Sequence, residues 1–389
     1  MRATLAAAGL RFNGRWWTFI GRTARRAMRI LLVAGARPNF MKIKPVHERL
    51  AKLEGVEPLL LHTGQHYDRR MSEVFFQELG IPEPDVNLGV GSGSHTEQTA
   101  EIMLRFEPVL AELAPDIVVV VGDVNSTLAC SLVCAKSGIP VAHVEAGLRS
   151  RNWEMPEEVN RVLTDRLAKL LFTPSRDADK NLLQEGIPAE RIHFVGNVMV
   201  DTLDAFAPVA GKSAVLEDLS LEPQTFGLVT LHRPSNVDSH EAAENIAELL
   251  LQGIQRLPLV FPVHPRTRGR LEEHGLWPRL ETAESLRLVE PLGYIDFLRL
   301  MQEARLVITD SGGIQEETTV LGVPCLTFRT ETERPVTISE GTNRLVGTDA
   351  DAAIAAVDDA LAAPMPGGQR PELWDGQAAG RIAEILVRR

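Results

Sequence analysis

Ile308–Leu321, ITDSGGIQEETTVL, is the stretch from which the fold can be read. The apolar run Leu306-Val307-Ile308 is expected to be the end of a buried strand, and it runs into Thr309-Asp310. Ser311 is a good helix N-cap, because a hydroxyl there can accept an otherwise free amide hydrogen. Gly312 and Gly313 let a ligand approach the backbone closely. The free amides and positive dipole end of such a helix suit a phosphate group. Glu316 and Glu317 are expected in the first turn, where a carboxylate can support the helix start or hold sugar hydroxyls. Taken alone, S-G-G is read more simply as a well-capped structural helix, so the rest of the chain has to decide.

Outward from this stretch, apolar strands alternate with amphipathic helices, which predicts a parallel sheet covered on both faces. Strands are expected at 30–34, 58–62, 117–121, 141–144, 170–173 and 192–195, with helices near 40–54, 70–79, 96–113, 126–137, 157–169 and 176–185. A second series has strands at 226–231, 259–263, 286–289, 306–309 and 324–328, with helices near 241–256, 293–304, 313–321 and 349–363. The turn-rich segment 207–224 serves as the linker. The expectation is therefore α/β: two facing, doubly wound domains, 28–206 and 207–375, with a final helix in 376–389 that packs back on the first. Ligands in such sheets bind at the carboxyl ends of the strands, here across the cleft between domains.

A chain of 389 residues is long enough for two such domains. Net charge is −11, but residues 1–29 hold seven arginines and no acid, so the remainder carries 34 basic against 52 acidic residues, a net of −18. An acidic body argues against general nucleic-acid binding. No apolar run is long enough to span a membrane. Cys130, Cys134 and Cys325 form no C-x-x-C pair and read as reduced core residues. The Arg-rich segment 1–27 reads as an extension ahead of a domain beginning at Met28, or as a basic membrane-surface helix. No G-x-G-x-x-G follows the first strand, and GVGSGSH at 89–95 reads as a loop. His62 and His66 in HTGQHYD have no cysteine nearby, and no metal site is expected.

Polar residues gather where this fold puts chemistry. Arg37 and Lys42 follow the first strand, Asp123 ends IVVVVGD, and Glu145 ends VAHVE. Glu157 and Arg161 lie in PEEVNR behind Pro156, a residue suited to the first helical position. His232 and Arg233 end GLVTLHR, and His264 ends VFPVH. Each has an ordinary structural alternative: a cap, a core histidine, or for Glu157 and Arg161 a helical ion pair. Together, cations and helix ends suit a diphosphate, and several carboxylates suit proton transfer.

The motifs GARPNFMKIKP, HTGQHYD, GDVNSTLA, HVEAGLRS, PEEVNR, VTLHRPSNVD, FPVHPRTR, GYIDFLRLM, DSGGIQEETTVLGVPCL and TERPVTISEGTNRLVG occur in this order. From Met28 to the C-terminus the chain resembles the non-hydrolysing UDP-N-acetylglucosamine 2-epimerases. The resemblance implies the GT-B fold of two Rossmann-like domains and an enzyme that interconverts UDP-N-acetylglucosamine and UDP-N-acetylmannosamine without metal or other cofactor. It implies Asp123, Glu145 and Glu157 as acid/base carboxylates, with Arg37, Lys42, Arg161 and His232 neutralising the diphosphate and orienting the sugar. It places Ser311, Gly312, Gly313 and Arg334 on phosphate, Glu317 on ribose and Phe297 near uracil. Gln65 and His66 match a motif that can bind an allosteric substrate molecule. The family is usually dimeric and cytoplasmic. Asn39-Phe40, where Glu-Ala is frequent, and LHRPSN mark a sub-branch and leave the exact sugar open: a hydrolysing relative, an epimerase for a modified UDP-sugar and a non-catalytic UDP-sugar regulator are the alternatives.

Overall fold

The computed structural model describes residues 26–64, 78–368 and 370–388. They build two all-parallel sheets. The first contains β1 (Met28–Ala34), β2 (Val56–His62), β3 (Val86–Asn87), β4 (Ile117–Val121), β5 (Val141–Val144), β6 (Leu170–Thr173) and β7 (Ile192–Phe194). Their spatial order is β3-β2-β1-β4-β5-β6-β7. The second contains β8 (Gly227–Thr230), β9 (Leu259–Pro262), β10 (Leu286–Val289), β11 (Leu306–Thr309), β12 (Cys325–Thr327) and β13 (Asn343–Leu345), in the order β10-β9-β8-β11-β12-β13. In both, the order reverses once, between β1 and β4 and between β8 and β11. Such reversals open a crevice at the carboxyl ends of the strands.

β11 shows why the opening stretch forms what it does. All four residues of Leu306–Thr309 are buried. The strand is paired on both sides, Ile308 lying opposite Val229 of β8 and Leu326 of β12. A strand covered on both faces and both edges favours an unbroken apolar run over alternation. The strands expected at 117–121, 141–144, 170–173, 286–289 and 306–309 are found with those bounds. Edge strands β3 and β13 were not expected, because two and three residues without an apolar run carry no periodicity.

The helix Val198–Ala210 was also not foreseen. Pro208 and Gly211 look like breakers, yet Val198, Met199, Val200, Thr202 and Leu203 are buried along it. It packs on the helices Arg37–Leu50 and Ala378–Val387 of one side and on Tyr294–Glu303 and Gly312–Leu321 of the other. The segment expected as a turn-rich linker thus begins inside this helix and continues through the short helix Val215–Asp218. The charged helix Pro265–Glu273 was missed for another reason: only Thr267 and Leu271 of it are buried, so it has almost no apolar stripe. The helix expected near 70–79 falls largely outside the described residues.

One apolar core runs through both halves, from Ile30, Leu32 and Val119 to Val260, Leu298 and Val307. The chain's end adds to it. Trp374 is 1% exposed, and its ring N–H donates to the Pro174 carbonyl at 2.8 Å. The helix Ala378–Val387 packs on Arg37–Leu50.

Candidate active site

The first turn after β1 is tied to the end of β4 by Asn39. Its side-chain oxygen accepts from the Gly35 and Ala36 amides at 3.1 and 2.9 Å, and its amide donates to the Val121 carbonyl at 3.2 Å. This brings Lys42, 7% exposed, beside the loop that carries Asp123. The Asp123 carboxylate, a quarter exposed, accepts from Arg161 Nε at 2.9 Å. Burial alone would raise its pKa, but Arg161, Lys42 and Arg334 together hold it below the usual carboxylate range. Asp123 is therefore ionised and able to accept a proton.

Glu145 ends β5 with φ of 69°, a left-handed conformation that costs energy in a residue other than glycine. Two ion pairs hold it there. Lys42 meets one carboxylate oxygen, and Arg334 Nη2 meets the other at 2.9 Å. Lys42 comes from the first half of the chain and Arg334 from the second, so Glu145 is clamped across the cleft. A second polar link, Asn152 Nδ2 to Glu331 at 2.8 Å, crosses the same boundary.

Arg334 is the centre of the other wall. It also pairs with Glu316 at 2.8 Å and with Glu333. Burial alone would raise the Glu333 pKa, but Arg334, Arg329, Arg161 and Arg233 together drive it far below the usual range. The cleft thus holds five cations, Lys42, Arg161, Arg233, Arg329 and Arg334, interleaved with Asp123, Glu145, Glu158, Glu316 and Glu333.

The turn and helix that follow β11 differ from expectation in three ways. Ser311 occupies the N-cap position, but its side chain makes no capping hydrogen bond. Its own amide instead donates to Thr309 Oγ1 at 3.0 Å. The helix starts at Gly312, so Glu316 and Glu317 lie beyond the first turn and are buried. The space over Gly312, expected to admit a ligand, is filled by the Arg334 guanidinium, whereas nothing lies within 4 Å of the space over Gly313. Glu317 accepts from the Tyr294 hydroxyl at 2.8 Å, and burial pushes its pKa up to about 7.

Glu157 does not form the helical ion pair with Arg161 that was its structural alternative. Arg161 turns instead to Asp123 and Glu158. Glu158, 1% exposed, accepts the backbone amides of Ser150 and Arg151 at 2.9 and 2.8 Å. The helix periodicity explains the difference: Glu158, Arg161 and Asp165 form the buried face, and Glu157, half-buried, lies beside it. His232 stands at the end of β8. Its amide donates to Asp310 at 2.9 Å, and its Nδ1 lies 3.4 Å from the other Asp310 oxygen. Asp310 also binds the Arg233 amide and the Asn236 side chain, at 2.8 and 3.0 Å. Phe297 lies partly buried against the shared core, one turn along the helix from Tyr294. Gln65 and His66 lie outside the described residues, as does the side chain of Arg37.

The structure therefore gathers Lys42, Asp123, Glu145, Arg161, Gly312 and Arg334 at one place. Ser311, Gly313 and Glu317 border it, and His232 joins it through its neighbour Arg233, 4.0 Å from Glu333. Glu333, Glu158 and Asp310 were not singled out from the sequence for a role. The alternating charges of ETERP, 331–335, were the available signal for Glu333. The two others needed the packing.

The sequence profile described as UDP-N-acetylglucosamine 2-epimerase matches residues 48–387. The UDP-N-acetylglucosamine 2-epimerase of Methanocaldococcus jannaschii is 41% identical over 371 residues, 92% of this chain and 99% of that protein. Its crystal structure in complex with UDP-GlcNAc and UDP superimposes with a TM-score of 0.87, covering 93% of this chain and 100% of that one. The UDP-2,3-diacetamido-2,3-dideoxy-D-glucuronate 2-epimerase of Pseudomonas aeruginosa is also 41% identical, over 365 residues, 93% of this chain and 100% of that protein. With two GT-B-like Rossmann domains, clustered strand-end charges and matches over nearly its whole length, the chain belongs to the UDP-N-acetylglucosamine 2-epimerase family of isomerases.

Proposed function

We propose that this protein interconverts UDP-N-acetylglucosamine and UDP-N-acetylmannosamine by elimination and re-addition of UDP. The observation that carries the reading is Glu145, an acid/base candidate of the first domain, held by Arg334 of the second. The hydrogen on sugar carbon 2 has no adjacent carbonyl to acidify it. Breaking the anomeric C–O bond creates positive character at carbon 1, as in glycoside cleavage. A carboxylate then takes the carbon 2 proton, the C–H electron pair becomes the C1=C2 double bond, and the C–O pair leaves with UDP. Protonation of the resulting 2-acetamidoglucal on its other face, with return of the diphosphate oxygen to carbon 1, gives the epimer. Electrons balance with no oxidant or reductant.

Asp123, Glu145 and Glu157 are the carboxylates assigned to these proton transfers. Lys42, Arg161 and Arg334 are assigned to the charge that develops on the departing UDP, and Arg37 and His232 to orienting it. Ser311, Gly313 and the helix amides would receive phosphate, with Gly312 admitting Arg334, while Glu317 and Phe297 would hold ribose and uracil. A homodimer acting in the cytoplasm, with residues 28–206 and 207–375 as its domains, completes the reading. No helix among the described residues is long and apolar enough to cross a membrane.

A second substrate is favoured by a specific observation, because the relative named for a diacetamido uronate is as similar as the one named for UDP-N-acetylglucosamine. Incubation with each UDP-sugar in deuterated water, followed by NMR, separates the readings. Deuterium at carbon 2 of UDP-N-acetylmannosamine is the expected result. Turnover of the uronate alone changes the substrate, release of free sugar makes the enzyme hydrolytic, and binding without turnover makes it a regulator.

A further inference from the structure

One fully buried titratable cluster lies beneath the site and takes no part in the chemistry above. His143, on β5, and Asp165, on the helix Pro156–Leu167, both have no solvent exposure. His143 Nδ1 is 2.6 Å from Asp165 Oδ1, and His143 Nε2 is 2.8 Å from the Gly122 carbonyl. The other Asp165 oxygen accepts from the Gly147 amide at 3.1 Å and from Arg149 Nη1 at 2.8 Å. Gly122 directly precedes Asp123, and Gly147 lies two residues after Glu145. A single pair of side chains therefore fastens the two strand-end turns that carry Asp123 and Glu145.

The hydrogen bonds fix the ring at both ends. A carbonyl oxygen only accepts, so His143 Nε2 carries a hydrogen. Asp165 accepts from an amide and from a guanidinium, both of which favour its ionised form. Burial alone would raise the Asp165 pKa, but His143 and Arg149 together hold it below the usual range. Asp165 Oδ1 faces Nδ1, so the ring is held at both nitrogens.

Neighbouring groups hold the same turn. Arg149 forks onto Glu185 at 2.7 and 2.8 Å. Arg191 Nη2 donates to the backbone carbonyls of Asp165 and Arg166, each at 3.2 Å, and of Ala168. On the helix Asn125–Ser137, Cys130 and Cys134 have thiols raised by burial and uncharged.

We propose that His143 is a positioning residue, which with Asp165 holds the Asp123 and Glu145 turns at the spacing that proton transfer needs. The inference rests on the reading of Asp123 and Glu145 as the acid/base carboxylates. The full chain labelled with 15N-histidine tests the anchoring, the His143 signals being identified by their loss in His143→Gln. The Nε2–H should appear as a slowly exchanging proton bonded to a carbonyl; a ring whose Nε2–H exchanges at once with solvent overturns the proposal.

The positioning role is read in His143→Gln and Asp165→Asn, with active sites counted by UDP titration. The expected result is a kcat per site lower by about tenfold to a hundredfold, with KM for UDP-N-acetylglucosamine nearly unchanged. Fewer UDP-binding sites with full kcat per site would mean a structural role only and overturns it. Where a variant does not fold, the NMR result on the wild-type chain still decides. Failure of the wild type to turn over UDP-N-acetylglucosamine would refute the proposed function without altering the NMR measurement.

Discussion

Glu317 illustrates a residue placed at a cost to stability. Burial raises its carboxyl from 4.5 to about 7, so between those values the folded chain holds a proton that the unfolded chain has released. Stability therefore falls as pH rises through this window. Glu317→Gln removes that penalty and keeps an acceptor for Tyr294. It should raise stability at pH 8 by up to about 3 kcal/mol and change it little near pH 4, as measured by denaturant unfolding at the two pH values. If Glu317 holds ribose, the same variant binds UDP more weakly. At the same scale, Asp123→Asn, Glu145→Gln and Glu157→Gln should each reduce turnover roughly a hundredfold or more. Normal turnover in one of them removes that residue from the acid/base set. Asp123, Glu145 and Arg334 were legible because they sit at strand ends or in a distinctive motif. Glu158 was not: Glu157 and Glu158 are equivalent in the string PEEVNR, and only helix phase separates the buried carboxylate from its half-buried neighbour.

The turn after β5 shows what elements contribute. Gly147 has φ of 82°, and a Cβ there would lie 2.6 Å from the Ala178 carbonyl oxygen. Gly147→Ala should destabilise the chain by about 1–3 kcal/mol and lower turnover beyond what the loss of folded protein explains, because the strain reaches Glu145. Thermal unfolding and rate per UDP-binding site measure the two effects. Elements with a strong pattern were legible at this scale. β11 and its helix were found where the apolar run and the glycines put them. The helix Val198–Ala210 was obscured by Pro208 and Gly211, since its stability comes from the four helices it touches rather than from local propensity.

Across the whole molecule, the two domains meet through a shared apolar core and through Arg334. This arginine, 5% exposed, satisfies Glu145 of one domain and Glu316 and Glu333 of the other. Arg334→Ala leaves Glu316 without its ion-pair partner and takes one of the cations from each of Glu145 and Glu333, and should cost about 3–5 kcal/mol in stability. Their mutual repulsion should also widen the cleft. Urea unfolding measures the first effect. An increased radius of gyration in X-ray scattering measures the second, and an unchanged radius would show that the core alone keeps the domains together.

The sequence by itself determined the class of fold, two doubly wound sheets, because strand and helix periods are local and the strong apolar runs must be buried. It also determined the family resemblance and the strand ends that bear charge, because ordered motifs survive as strings. Only the tertiary structure decided which charges meet. Arg334 lies 189 residues from Glu145, and no local period relates them. Tertiary packing also decided that ITDSGGIQEETTVL offers an open face at Gly313 while Gly312 is covered by Arg334. The stretch that announces the fold thus has its chemistry completed by a residue from another loop, because buried charge takes its state from whichever partner the packing brings to it.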